Sequence, residues 1–250
     1  MPDLLTWQWL LLLFCAFMAG VAKTGVPGLG ILVVPLMLQV VIDPKTSPGA
    51  LLPLLCLADC FAVVAYRRSA RWAEILRLSP WVALGVGVGA GALVLVSDRW
   101  LTPVIGIIVL TMIALHVWRR WRGTGEVRAR PLLAGVLGVV AGFATTVANA
   151  AGPVFNLYLL SMALPKTEFM GTGAWFFFII NLAKVPIFLL QGRITGATLL
   201  LDLVAVPAVI VGALCGRWLF ARVPQRVFEI AVLVLATAST VVLLMPRREG

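Results

Sequence analysis

The sequence predicts an all-α polytopic membrane protein. It is built from two homologous repeats, read as inverted, each opening with a broken or re-entrant helix and continuing with three transmembrane helices. Three observations lead there. The 250 residues are 62% hydrophobic and 12% charged, where a soluble domain carries about 45–50% apolar and about 25% charged residues; the mean hydropathy is +1.06. Apolar runs of about 17–25 residues, enough to cross a bilayer as helix, recur along the whole chain. Finally, two segments interrupted by glycine and proline stand at corresponding places in the two halves: "VAKTGVPGLGILVVP" (Val21 to Pro35) and "TTVANAAGPVFNLYLL" (Thr145 to Leu160). Paired interruptions of this kind point to a transporter site.

The elements follow in order. The first half reads as 7–22 with 28–42, then 48–66, 78–97 and 101–118. An arginine-rich link covers 119–130, and the second half reads as 131–147 with 151–163, then 171–190, 197–220 and 227–245. Nothing outside these runs is long enough for a soluble domain. The chain is therefore read as one transmembrane domain, 1–250, with repeat 1 at 7–118, a cytoplasmic linker at 119–130 and repeat 2 at 131–245. The segment 7–22 lacks a positive n-region and a cleavage site before Lys23, so it is read as mature helix and not as a signal peptide.

The halves share letters. "MAGVAKT" (Met18 to Thr24) lies over "VAGFATT" (Val140 to Thr146) at a shift of 122, and Asp59 falls over Asn181 and Arg71 over Arg193 at the same shift. "PKT" at Pro44–Thr46 recurs at Pro165–Thr167, and "GAL" at Gly91–Leu93 recurs at Gly212–Leu214, both at a shift of 121. Several matches at nearly one offset predict an internal duplication.

The net charge of +10 does not imply nucleic acid. The arginines gather in short loops, at Arg67, Arg68, Arg71 and Arg77 and from Arg119 to Arg130, as cytoplasmic loops do under the positive-inside rule. No basic stretch is interleaved with aromatics. If each broken segment dips in and returns, the repeats are inverted; if it crosses, they are parallel. Inversion puts Arg222 and Arg226 inside but leaves Arg247 and Arg248 outside, and the arginine count is nearly as good for parallel repeats; the repeats are read as inverted.

Polar residues inside apolar runs need a reason, since a Lys or Asp at mid-bilayer costs roughly 2.5–3.5 kcal/mol on insertion scales. Lys23 and Thr24 sit at the first break, beside Gly25, Pro27, Gly28 and Gly30, all poor material for continuous helix. A break exposes N–H groups and a helix dipole that favour an anion. The other reading is a helix end near the interface with Lys23 snorkelling to headgroups. At the second break, Thr145, Thr146, Asn149 and Asn156 bring hydroxyls and amides. Ala150, Ala151 and Gly152 permit close backbone approach, and Pro153 suits the start of a new half-helix; helix–helix glue is the alternative. Lys184, deep in the span from Gly171, either faces the bundle or snorkels toward Gln191. Asp59 is the one acid clearly inside a span. It is expected to pair with Lys184 or an arginine, with proton coupling as its other role. Asp202 and Glu229 are read as interfacial, Trp175 as belonging to an aromatic belt, and the four cysteines as small buried hydrophobes.

Catalytic constellations are missing. The one histidine, His116 beside Trp118 and Arg119, is read as interfacial, so no Ser-His-Asp triad is expected, and one histidine makes no His-rich metal site. "KTGVPGLG" places Lys-Thr before the glycines, the reverse of a phosphate-binding P-loop. The chain is therefore read as no enzyme, with no metal and no cofactor.

"GVAKTGVPGLGILVVPL", "LLPLLCLADCFAVVAYRR", "ANAAGP", "LPKTEFMGTGAWFFFIINLAKVPIFL" and "GRI" resemble the TauE/SafE sulfite-exporter family of membrane anion transporters. The resemblance covers nearly the whole chain, and "ANAAGP" with "GTGAWFFFIINLAKVP" is its specific part. It implies a helical inner-membrane protein of two repeats that moves small sulfur-containing or organic anions, such as sulfite, sulfoacetate and related sulfonates.

The expectation is an anion transporter working by alternating access, with substrate near the midplane between the broken segments. Thr24, Gly28, Thr146, Asn149 and Gly152 are the expected contacts, and Lys184 is the charge complement. Lys23 is a gate or field charge, and Asp59 is the proton-coupling candidate. The expected partners are a small anion and the bilayer, and no nucleic acid; the sequence leaves a homo-oligomer open. A carrier for another small anion such as a carboxylate, or a non-transporting membrane scaffold, is the alternative.

Overall fold

The computed structural model describes residues 4–27, 29–41, 46–95, 131–149, 151–224, 226–228, 230–231 and 234. Eight α-helices fall among them: α1 (Thr6–Thr24), α2 (Gly30–Val40), α3 (Ser47–Tyr66), α4 (Trp72–Leu95), α5 (Pro131–Ala148), α6 (Ala151–Ser161), α7 (Lys166–Leu190) and α8 (Gly196–Arg222). Five helical stretches are long and apolar enough to cross a membrane: Thr6–Thr24, Ser47–Ser69, Trp72–Ala92, Lys166–Leu190 and Gly196–Arg222. The chain is thus an all-α, multi-pass membrane protein. The expected span at 101–118, the linker at 119–130 and most of the expected span at 227–245 lie outside the described residues.

The chain divides into two compact units. The first is Met1–Ile75 with Pro165–Phe228, and the second is Leu76–Leu164 with Glu229–Gly250. In the first, α1 packs along α8, and α3 packs on α1, α7 and α8. The core joins Leu12, Cys15, Ala16 and Ala19 of α1 to Leu201, Ala205 and Val209 of α8. Val33 and Met37 of α2 and Ala50, Leu51, Leu54 and Ala58 of α3 complete it. The spacing 12, 15, 16, 19 is one face of a helix. The opposite faces carry Leu199, Leu203, Val211, Leu214 and Trp218, all exposed, as a lipid-facing surface should be.

The close approach of α1 and α8 depends on glycine. A Cβ on Gly20 would run into Val209 O and come within 2.6 Å of Ala213 N; one on Gly212 would run into Phe17 O, and one on Gly25 into Gly216. These obstacles are backbone and cannot swing away. After Thr24 the helix stops. Gly25 N–H and Val26 N–H both donate to Val21 O, at 2.8 and 3.1 Å. From Gly30, α2 runs back along α1, so that Gln8 Nε2 donates to Gln39 O at 3.2 Å. The start of α1 thus meets the end of α2. With 11 residues, α2 spans about 16 Å, too short to cross a bilayer alone.

Two further ties fix the helix ends. Thr195 and Thr198 form a reciprocal cap at the start of α8, with Thr198 N–H donating to Thr195 Oγ1 at 3.2 Å and Thr195 N–H to Thr198 Oγ1 at 3.0 Å. At its other end, Lys166 Nζ donates to Phe220 O and Val223 O at 3.1 and 2.7 Å, satisfying carbonyls that a helix terminus leaves open.

In the second unit, α4 and α5 meet through the same device. A Cβ on Gly142 would run into Val82 O and reach 2.9 Å from Val86 N; one on Gly85 would run into Val139 O, and one on Gly89 would come to 2.9 Å from Thr146 Cβ. The register matches that of α1 and α8. Phe17, Gly20 and Thr24 move to Val139, Gly142 and Thr146 at a shift of 122. Val209, Gly212, Ala213 and Gly216 move to Val82, Gly85, Val86 and Gly89 at a shift of 127. Gly91, which the letters align with Gly212, meets nothing within 4 Å.

Candidate functional site

The first unit buries a charged cluster. Asp59 lies twelve residues into α3 and seven from its end, about 18 and 10 Å along the axis. Its side chain is fully buried. Asn181 of α7 donates from Nδ2 to Asp59 Oδ2 at 2.6 Å. Lys23, at the last turn of α1, brings Nζ to 2.8 Å from Oδ1. At that separation the contact is a charge-assisted ion pair. The Lys23 ammonium also sits over the Phe177 ring, 4.2 Å from its centroid, a cation–π contact. Lys184 follows Asn181 by three residues, on the same face of α7. It is 0% exposed and within electrostatic reach of Lys23, Asp59 and the Cys56 thiol. Two lysine side chains thus share the surroundings of one carboxylate. Buried charges survive only when paired and hydrogen-bonded, and the Asp59–Lys23–Asn181 contacts meet that condition.

Several expectations change here. Asp59 was expected to pair with Lys184 or an arginine; its ion-pair partner is Lys23. Snorkelling does not fit either lysine: Lys184 is fully buried, and the Lys23 side chain, 14% exposed, turns inward to Asp59. Asp202, read as interfacial, is buried inside the unit. It is 5% exposed, within α8, and neither of its oxygens has a hydrogen-bond partner among the described residues. Glu229 lies outside the described residues. Of the cysteines, all free, Cys15 is buried, Cys56 is half-buried, and Cys60 and Cys215 are exposed, so two of the four occupy the helix surface. Trp175 packs at a tilt against Trp72 with centroids 5.1 Å apart, and its indole nitrogen is buried with no hydrogen-bond acceptor among the described residues.

Thr24 is buried and occupied. Its hydroxyl shares its single hydrogen between Gly20 O at 3.0 Å and Ala213 O at 2.7 Å, and its carbonyl accepts from Tyr66 Oη at 2.5 Å. Gly28 lies outside the described residues. The other expected contacts fall in the second unit. Thr146 donates to Gly142 O at 2.9 Å, the counterpart of the Thr24–Gly20 bond. Asn149 stands just past α5 with φ of +51°, the left-handed conformation that ends helices and that asparagine tolerates; its N–H donates to Thr145 O at 3.0 Å. Gly152 opens α6 with nothing within 4 Å of a would-be Cβ, so the backbone there can be approached.

The structure therefore brings Lys23, Asp59 and Lys184 together in one unit and Thr146, Asn149 and Gly152 together in the other. Sequence reasoning missed Phe177. It lies in the run Phe176–Phe178, where nothing marks one ring as the neighbour of a cation. Tyr66 was also missed, although a tyrosine at a span end needs a partner for its hydroxyl, and the Thr24 carbonyl supplies it. Among the described residues no three His, Cys, Asp or Glu side chains gather as a metal site would need.

Comparison with curated proteins and with solved structures gives no match. A model of the sulfite exporter TauE/SafE family matches residues 12–243, which is most of the chain and includes both interrupted segments and the Lys23–Asp59–Asn181–Lys184 cluster. That family consists of membrane transporters and not enzymes. With its multi-pass helical fold and its buried cationic cluster, the chain belongs to the TauE/SafE sulfite exporter family of membrane anion transporters.

Proposed function

We propose that the protein carries small oxyanions of sulfur, such as sulfite, sulfoacetate or related sulfonates, across the bacterial inner membrane by alternating access. The observation that carries this is the buried cluster of two lysines and one carboxylate around Asn181. A charge inside a membrane helix is costly and marks a functional path. An excess of ammonium over carboxylate favours an anion, and lysine offers point charges that grip an oxyanion without the bidentate hold of arginine. Release then stays feasible. Lys184 is the main cation for the ligand in the first unit. Within the second unit, Thr146, Asn149 and Gly152 are proposed anion contacts, through hydroxyl, amide and open backbone.

Inverted repeats are part of the proposal, and three observations support them. The segment α1–α2 turns back on itself. The glycine register of α1 on α8 recurs for α5 on α4. Asp59 and Asn181, counterparts at a shift of 122, hydrogen-bond to each other. Residues related by a two-fold axis meet one another only close to that axis, as at an isologous interface. Inverted-repeat carriers place their substrate at such a repeat interface.

The test is an anion panel read by thermal stability of the purified protein. A ligand that binds only the native state at 100 times its Kd stabilises by about 2.7 kcal/mol. Sulfite or a short sulfonate should raise Tm, and chloride at equal ionic strength should not. A shift with carboxylates alone would move the assignment to another small anion. No shift with any anion would favour a non-transporting scaffold and overturn the proposal.

A further inference from the structure

We infer that Asp59 is a built-in competitor of the transported anion: its carboxylate and a substrate oxyanion bind Lys23 in alternation. This rests on the anion-transport reading above and deepens it.

The geometry of the cluster carries the inference. Asp59 has two holds of different kinds. Oδ2 accepts a short, directed hydrogen bond from Asn181. Oδ1 faces Lys23 Nζ in an ion pair at 2.8 Å. Asn181 keeps the carboxylate on α3, and Lys23, on another helix, is the partner that can turn away. Lys23 has somewhere to go. It stands at the end of α1, one residue before Thr24 and two before Gly25, where the helix ends. Its side chain is 14% exposed where that of Asp59 is fully buried. The Phe177 ring beneath the ammonium holds the cation by a cation–π contact that does not depend on Asp59.

An incoming sulfonate or sulfite presents the same chemistry as the carboxylate, a compact group of negatively charged oxygens. It meets Lys23 with Lys184 within electrostatic reach, whereas Asp59 opposes it as a like charge. Asp59 thus weakens substrate binding and hastens release, as a carrier needs. Lys23 has no charged counterpart in the other half, where Thr145 stands at the same shift. The competition therefore acts at one break only.

The experiment is calorimetric titration of the purified full-length chain with sulfite and with sulfoacetate. The proteins compared are wild type, Asp59→Asn, and the double variant Lys23→Gln/Asp59→Asn. Removing the competing charge should tighten Asp59→Asn binding by about tenfold or more, given charge interactions of a few kcal/mol at short range. The double variant, with one cation and one competing anion both gone, should return toward the wild-type value. Should Asp59→Asn fail to fold, the double variant and a difference infrared spectrum of wild type still decide. Sulfite should shift the carboxylate stretch of wild type, and the double variant should lack that shift. Asp59→Asn binding no tighter than wild type, or a carboxylate band unmoved by bound sulfite, overturns the inference and leaves anion transport standing. Wild type that binds neither anion overturns the transport reading itself, and this inference with it.

Discussion

The α1–α8 pair of the first unit and the α5–α4 pair of the second share a frame and differ in chemistry. Both pairs close on glycine against backbone in one register. Both carry, in the last turn of α1 and of α5, a threonine whose hydroxyl donates to a glycine carbonyl four residues back, Thr24 to Gly20 and Thr146 to Gly142. A hydroxyl of this kind loosens and bends the final turn, so the break is a property of the shared frame. Charge is not shared. Lys23 reaches Asp59 in the first unit, whereas its counterpart Thr145 is a buried neutral residue. The frame that makes the break and the charges that use it are therefore separable, and substitutions can address each alone.

The largest stability effect should come from charge. Lys23→Met leaves the Asp59 carboxylate buried without its cation, and breaking a buried pair from one side costs about 3–5 kcal/mol. Thr145→Val at the counterpart position should cost about 1 kcal/mol or less. Chemical denaturation in detergent reads both. Equal losses at the two positions would erase the distinction.

Glycine comes next and should act on both pairs alike. Gly212→Ala and Gly85→Ala each push a methyl into a backbone carbonyl, and overpacking of this kind costs about 1–3 kcal/mol. Gly91→Ala is the control. With open space around it, alanine should be tolerated or should stabilise the helix by up to about 1 kcal/mol. Thermal unfolding of the three variants tests whether Gly85 or Gly91 takes the part of Gly212. Smaller still are Thr24→Val and Thr146→Val, each losing one helix-end hydrogen bond, for about 0.5–1.5 kcal/mol. Thr24→Val should lie at the upper end, because its hydroxyl also meets Ala213 O.

Much of this was legible in the letters, for physical reasons that can be named. Bilayer-length apolar runs leave helix as the only economical backbone, so α3, α7 and α8 follow directly. Glycine and proline marked both interruptions. The Asp59–Asn181 contact was present in the sequence as two letters at one offset, although nothing there said that counterparts touch. What stayed hidden depends on packing. The pairing of Lys23 with Asp59 is set by how far α1 sits along α3, which no local pattern records. The partner of Gly212 was misread because Gly85, Gly87, Gly89 and Gly91 alternate along α4. A run of that kind offers several alignments and only backbone contact selects one. The inward turn of Asp202 was hidden likewise, because a place near the start of a span does not say which side the residue faces.

Flux of labelled sulfite in proteoliposomes, wild type against Lys184→Ala, tests the central claim most directly. Wild type should carry sulfite, and loss of the main cation should cut the initial rate by about tenfold or more, since a charge-assisted contact contributes about 1.5–3 kcal/mol. Sulfite flux through Lys184→Ala at the wild-type rate, in protein shown to be folded, would contradict it.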